Sequence, residues 1–156
     1  MLSPRLARLL ELPPAARAEL LTRVRAARKA RALEFYQPYP KQLEFHAAGG
    51  PLHIRERLLK AGNQLGKTWS AGFEHAMHLT GRYPDWWPGI VFDEPVIGWA
   101  ASETSQSTRD TVQRILLGQP GAWGTGAIPR DAIQETKRAA HGASEQDAGV
   151  TRWTSW

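Results

Sequence analysis

Leu58-Leu59-Lys60-Ala61-Gly62-Asn63-Gln64-Leu65-Gly66-Lys67-Thr68 joins a short apolar run to a glycine-bearing turn, and a helical period begins at Trp69. A strand, a turn and a helix in that order are the setting in which Gly-Lys-Thr signifies a nucleotide. There the turn's backbone N–H groups and the helix N-terminus face a phosphate chain. Lys67 reaches the β/γ-phosphates and the Thr68 hydroxyl ligates Mg²⁺. The stretch therefore predicts a protein that binds ATP or GTP. Its loop is Ala61, Gly62, Asn63, Gln64, Leu65, Gly66, Lys67 and Thr68, with Lys67 as the catalytic cation. Against the consensus G-x-x-x-x-G-K-[ST], Ala61 stands at the first glycine position, where a methyl group tolerates a left-handed backbone less well. Gly62, one position later, is expected to take over part of that freedom. The competing reading is a chance Gly-Lys-Thr on a surface turn.

Downstream of the loop, Trp69, Phe73, Ala76, Met77 and Thr80 share one face of a 3.6-residue period. Gly81 suits the helix end and Pro84 bars continuation. That face is expected to pack on a central sheet, as in an α/β nucleotide-binding fold, with Trp69 and Phe73 in the core.

The chain has 156 residues, enough for one core. Its 42% hydrophobic and 22% charged residues fit a soluble globular protein. No run is long enough to span a bilayer, and the N-terminus is too basic and interrupted for a secretory signal. The absence of cysteine excludes disulfides and thiolate metal sites and fits a reducing cytoplasm. Charge is uneven: residues 1–31 hold eight Arg and Lys against two Glu, so this arm carries +6 of a net +5 and the remainder −1. The arm is either a contact for nucleic acid or an acidic partner, or simply a solvated helical face.

The chain divides into a basic helical arm (1–33), a nucleotide-binding part (34–140) and an irregular tail (141–156). Within the arm, residues 1–12 and about 14–32 read as helices separated by Pro13-Pro14. A short helix over 41–48 follows Tyr39-Pro40, and Ile54 to Ala61 leads into the loop as the first core strand. Val96 to Ala101 reads as a second strand buried on both faces. Ser102 or Thr104 caps a helix striped by Val112, Ile115 and Leu116 and ended by Gly118. Residues 131–140 form another short helix, and the last sixteen show neither period.

Taken in order, several pieces resemble the large terminase subunit of tailed phages and prophages, from about Phe35 to Pro129. They are Tyr39-Pro40-Lys41-Gln42-Leu43-Glu44-Phe45-His46, Ala61 to Thr68, Leu79 to Trp87, Ile97 to Ala101, Thr108-Arg109-Asp110 with Leu116-Leu117-Gly118, and Gly124 to Pro129. The resemblance implies a P-loop three-layer α/β sandwich of the translocase kind, incomplete here. It implies an ATPase that drives double-stranded DNA into capsids in the bacterial host cytoplasm, working with a portal protein and a small terminase subunit. By the same resemblance Gln42 reads adenine, as an amide that both donates and accepts can do. Lys67 and Thr68 take the phosphate and Mg²⁺ positions, and Asn63 stands where some terminases carry an arginine. Arg109 either contacts phosphate or DNA, or pairs with Asp110 or Glu103.

A working ATPase of this class also needs an acidic strand end and a carboxylate to orient water. Ile90-Val91-Phe92-Asp93-Glu94 imitates one, but its apolar run is three residues long, bounded by Gly89 and Pro95. It also directly precedes the second strand, whereas the family's acidic pair lies well downstream. That pair is expected beyond residue 156, and residues 141–156 lose the family pattern, so the chain reads as truncated or frameshifted, with poor or no hydrolysis and no nuclease domain. His75 and His78 share a helix face but lack the glutamate of HExxH and read as surface or core histidines. Trp86 and Trp87 are expected to cap the core. Two rival functions remain: a small P-loop kinase acting on a metabolite, which needs Asp93-Glu94, and an inactive remnant whose basic arm binds nucleic acid.

Overall fold

The computed structural model describes residues 9–50, 54–137 and 150–153, with 135–137 and 150–153 as backbone only. Residues 9–11 are helical, and the rest of the expected first helix lies outside the described residues. Helix α1 (Pro14–Ala30) starts with proline, whose fixed φ and missing N–H suit a first turn, and ends with Arg28 and Lys29 against the negative end of its dipole. It buries none of its residues. A 3-10 turn (Ala32–Phe35) then carries Leu33 into the core. Helix α2 (Pro40–Ala47) again begins on proline and buries Gln42 and His46.

Helix α3 (Lys67–Thr80) is the centre of the molecule. It starts at Gly66 (φ 73°) and stops at Gly81 (φ 65°), both left-handed. Its inner face is Ser70, Phe73, Glu74, Ala76, Met77, Leu79 and Thr80. Trp69, expected in the core, is instead 49% exposed, with its ring 4.8 Å from Phe73. It projects from the first turn of the helix toward solvent.

Thr104 caps the next helical run as expected, accepting from the Ser107 N–H at 3.1 Å. The run comprises α4 (Ser105–Ser107), a π turn (Thr108–Gln113) and α5 (Arg114–Leu117). Past Gly118 the chain doubles back and closes the helix end: the N–H groups of Gly124, Ala127 and Ile128 donate to the carbonyls of Leu117, Ile115 and Leu116 at 2.7–2.8 Å. Gly126 is needed here, because a Cβ would lie 2.6 Å from backbone atoms of Ile115, Leu116 and Gly118. The core gathers Leu33, Tyr36, the α3 face, Leu117, Ala127, Ile128, Ala132 and Ile133. Trp87 packs on its rim, as expected of a cap.

Four expectations are corrected. The segments over 54–61 and 96–101 are extended but have no ladder partner among the described residues. Leu58 is 87% exposed, and Ile97 and Trp99, expected to be buried on both faces, are 92% and 90% exposed. A strand's burial comes from its neighbours, and among the described residues these segments have helices rather than strands beside them, with Gly98 against His75 and Leu79 of α3 and Arg57 against Phe45 of α2. Residues 131–140 begin not as a helix but as a 3-10 turn (Arg130–Ala132) and β1 (Ile133–Lys137). β1 pairs antiparallel with β2 (Val150–Trp153), inside the tail that showed no period, and this is the one ladder among the described residues. Pairing satisfies backbone groups that a local helix would otherwise satisfy, a choice invisible to a short window.

Candidate functional site

Residues 61–65 form an exposed loop in front of α3. Its left-handed positions are Gln64 (φ 60°) and Gly66 (φ 73°). Neither Ala61 nor Gly62 has a positive φ, so the alanine at the first consensus position costs nothing in backbone strain and Gly62 is not its substitute. The strained residue is Gln64, and left-handed non-glycine residues cluster at functional turns. The Lys67 ammonium folds back over the loop and donates to the carbonyls of Ala61 (2.8 Å) and Gly62 (2.6 Å). Gly66 offers α3 no side-chain cap, so the first-turn N–H groups of a fourteen-residue helix face forward beside that ammonium. Thr68 is exposed on the same turn. Cationic and N–H donors thus meet at one mouth, a set suited to an anion.

Gln42 is placed behind the loop rather than at its mouth. It is 5% exposed, its Oε1 accepts from the Tyr39 N–H at 2.8 Å, and its Nε2 donates to the Gly66 carbonyl at 3.2 Å. One amide therefore caps α2 and ties that helix to the residue that starts α3. Gly66 must be glycine on both counts: its φ is positive, and a Cβ would sit 2.7 Å from Gln42 Nε2.

Beneath the loop lies a polar hub that the sequence did not reveal. Glu74, on the apolar face of α3, accepts from His46 Nδ1 at 2.8 Å and is paired with Arg57 and, at 3.5 Å, His78 Nε2. With Nδ1 facing Glu74, the His46 ring turns Nε2 to the hydroxyls of Tyr36 (3.0 Å) and Ser70 (3.2 Å). Arg57 also donates to the Phe45 carbonyl at 2.8 Å and lies over the Phe45 ring. Burial alone would push the Glu74 carboxyl up; hydrogen bonds from His46, His78 and Arg57, with the Arg57 charge, outweigh it and hold the group far below the usual carboxylate range. Burial pushes the Tyr36 hydroxyl up and the His75 imidazole down. The hub joins α2, the segment entering the loop and α3, so it fixes the frame on which the loop stands. Its one sequence signal was a glutamate at i+4 from Ser70 within an apolar helix face, a position that requires partners.

The remaining candidates settle into structural places. His78 Nδ1 meets the Tyr83 hydroxyl at 3.0 Å and packs against Trp87 and Phe92. Arg109 Nε pairs with Asp110 at 3.0 Å. Asp93 and Glu94 occupy an exposed bend, not a strand end. No helix of the described residues is long and apolar enough to cross a membrane.

A family model described as "Terminase large subunit, T4likevirus-type, N-terminal" matches residues 58–152. That span starts at the segment entering the loop and runs past Pro129 into the tail, so residues 141–152, expected to lie outside the family pattern, fall within the match. The chain is similar to the "Terminase, large subunit" of Salmonella phage P22, 38% identical over 136 residues, covering 78% of this chain and 27% of that protein. It thus spans about a quarter of the length of this relative. No solved structure matches.

Proposed function

The chain belongs to the terminase large-subunit family, and on that premise we propose that residues 61–68 bind ATP with Mg²⁺ in the motor part of a DNA-packaging ATPase. The observation that carries this proposal is Lys67, whose ammonium lies over the loop on two carbonyls beside the uncapped start of α3. A bound phosphate chain exchanges those two carbonyls for anionic oxygens, to which a lysine bonds more strongly. The first-turn N–H groups add donors, and the Thr68 hydroxyl is the ligand for Mg²⁺. That ion would neutralise phosphate charge. A P-loop sandwich would need further strands to pair with the extended segments over 54–61 and 96–101, with α3 packed across them. DNA packaging then supplies the wider setting: duplex DNA held through its phosphates, a portal protein and a small terminase subunit, in the host cytoplasm.

Calorimetric titration of the 156-residue chain with ATP and Mg²⁺ should show binding that Lys67→Ala weakens about 10- to 100-fold while the helical circular dichroism is kept. Undiminished binding by that variant overturns the assignment. The metabolite-kinase alternative needs Asp93 and Glu94 at the phosphates, and the structure puts them on an exposed bend. Replacing both by amides should leave ATP affinity unchanged.

A further inference from the structure

We infer that the cleft between the C-terminal end of α1 and the outer side of α3 is a binding site for a single-stranded nucleic-acid segment. Its volume is about 990 Å³, at the upper end of small-ligand sites, which leaves room for more than one nucleotide. Two aromatic rings are open to the cleft: Trp69 is 49% and Phe35 52% exposed. Trp69 is backed by Phe73, with ring centres 4.8 Å apart, and Phe73 in turn stacks on Tyr36 in the core.

The rim is cationic. Arg25, Arg28 and Lys29 line it from α1, with Arg114 opposite. Arg28 lies over the Phe35 ring at 5.3 Å, so one cation is already held on an aromatic face. The lining acid, Asp110, is paired with Arg109. Packing does not account for the α1 cations, because α1 buries no residue. Among the described residues, Arg25, Arg28 and Lys29 form no ion pair.

Exposed aromatic rings inside a basic rim complement a strand whose bases face in and whose phosphates face out. A duplex hides its bases and would leave Trp69 and Phe35 unused. An acidic peptide would engage the cations but does not bring a ring with every residue to stack on Trp69 and Phe35. Trp69 directly follows Thr68, so a base stacked there rests on the first turn of the helix that carries the loop.

Fluorescence anisotropy of the full chain, without nucleotide, tests the site independently of ATP binding. The probes are a fluorescein-labelled oligo(dT) and a blunt duplex of equal length, with poly-glutamate as competitor. Oligo(dT) should bind at least about tenfold more tightly than the duplex, and Trp69→Ala should cost about tenfold, the scale of one lost base stack. Arg25→Glu with Lys29→Glu, on a helix without buried residues, should weaken binding and flatten its salt dependence. Equal or tighter duplex binding, an unchanged Trp69→Ala, or displacement by poly-glutamate as effective as by unlabelled oligo(dT) overturns the proposal.

Discussion

At the start of α3, Lys67 and Thr68 reach solvent, and the Lys67 ammonium rests on two loop carbonyls. One turn further on, Ser70 and Glu74 are sealed in a network in which His46, Arg57, Tyr36 and His78 all take part. The same helix therefore carries a responsive end and a fixed one. Groups at the loop can exchange partners at little cost because water competes for them already. Groups at the hub cannot, since a buried charge left without its partner costs far more than the pair contributes. Gln42 is the link between the two regions, with one end of its amide on α2 and the other on Gly66.

Glu74→Gln should have the largest effect, since it leaves Arg57 without its counter-charge. A loss of about 3–5 kcal/mol in urea unfolding is expected; a loss below about 1 kcal/mol would mean that the hub is no firmer than the loop. The wild-type chain should also weaken in acid. Because the Glu74 pKa is depressed on folding, its stabilisation is fully present above the ordinary value of 4.5 and is lost progressively as pH falls below it. The Glu74→Gln chain should lack this part of the acid dependence. Lys67→Ala should do the reverse of Glu74→Gln, lowering ATP affinity about 10- to 100-fold, the scale of lost hydrogen bonds to charged groups. Its unfolding midpoint should shift by no more than about 0.5 kcal/mol.

Gly66→Ala probes the junction. A left-handed alanine costs about 1–2 kcal/mol, and the new methyl also displaces Gln42. Nucleotide affinity should therefore fall by more than stability alone explains. Gln42→Ala should be the mildest, at about 1 kcal/mol for the lost α2 cap. A loss of ATP affinity as large as that of Lys67→Ala would show that Gln42 touches the nucleotide rather than the loop frame.

Elements governed by local rules were legible in the sequence. The ends of α3 follow from Gly66 and Gly81, the start of α1 from Pro14, and the cap at Thr104 from its hydroxyl. Elements defined by distant partners were not. Ile97 and Trp99 have the pattern of a buried strand, yet burial needs neighbouring strands that the pattern itself does not supply. β1 reads as a helix in a short window because its partner lies more than ten residues away. Within the site, loop position and Lys67 were readable, whereas the strained Gln64, the buried placement of Gln42 and the Glu74 hub were not.

The sequence by itself determined the order of strand-like segment, loop and helix, the family, and the donors gathered at residues 61–68. Chain chemistry suffices there, because glycine, lysine and threonine act within one turn of backbone. Only the tertiary structure decided which polar side chains serve the site and which support it. His46, Arg57 and Glu74 are far apart in the chain and ordinary as residues. They become a single rigid unit because burial removes water as an alternative partner and leaves them only one another.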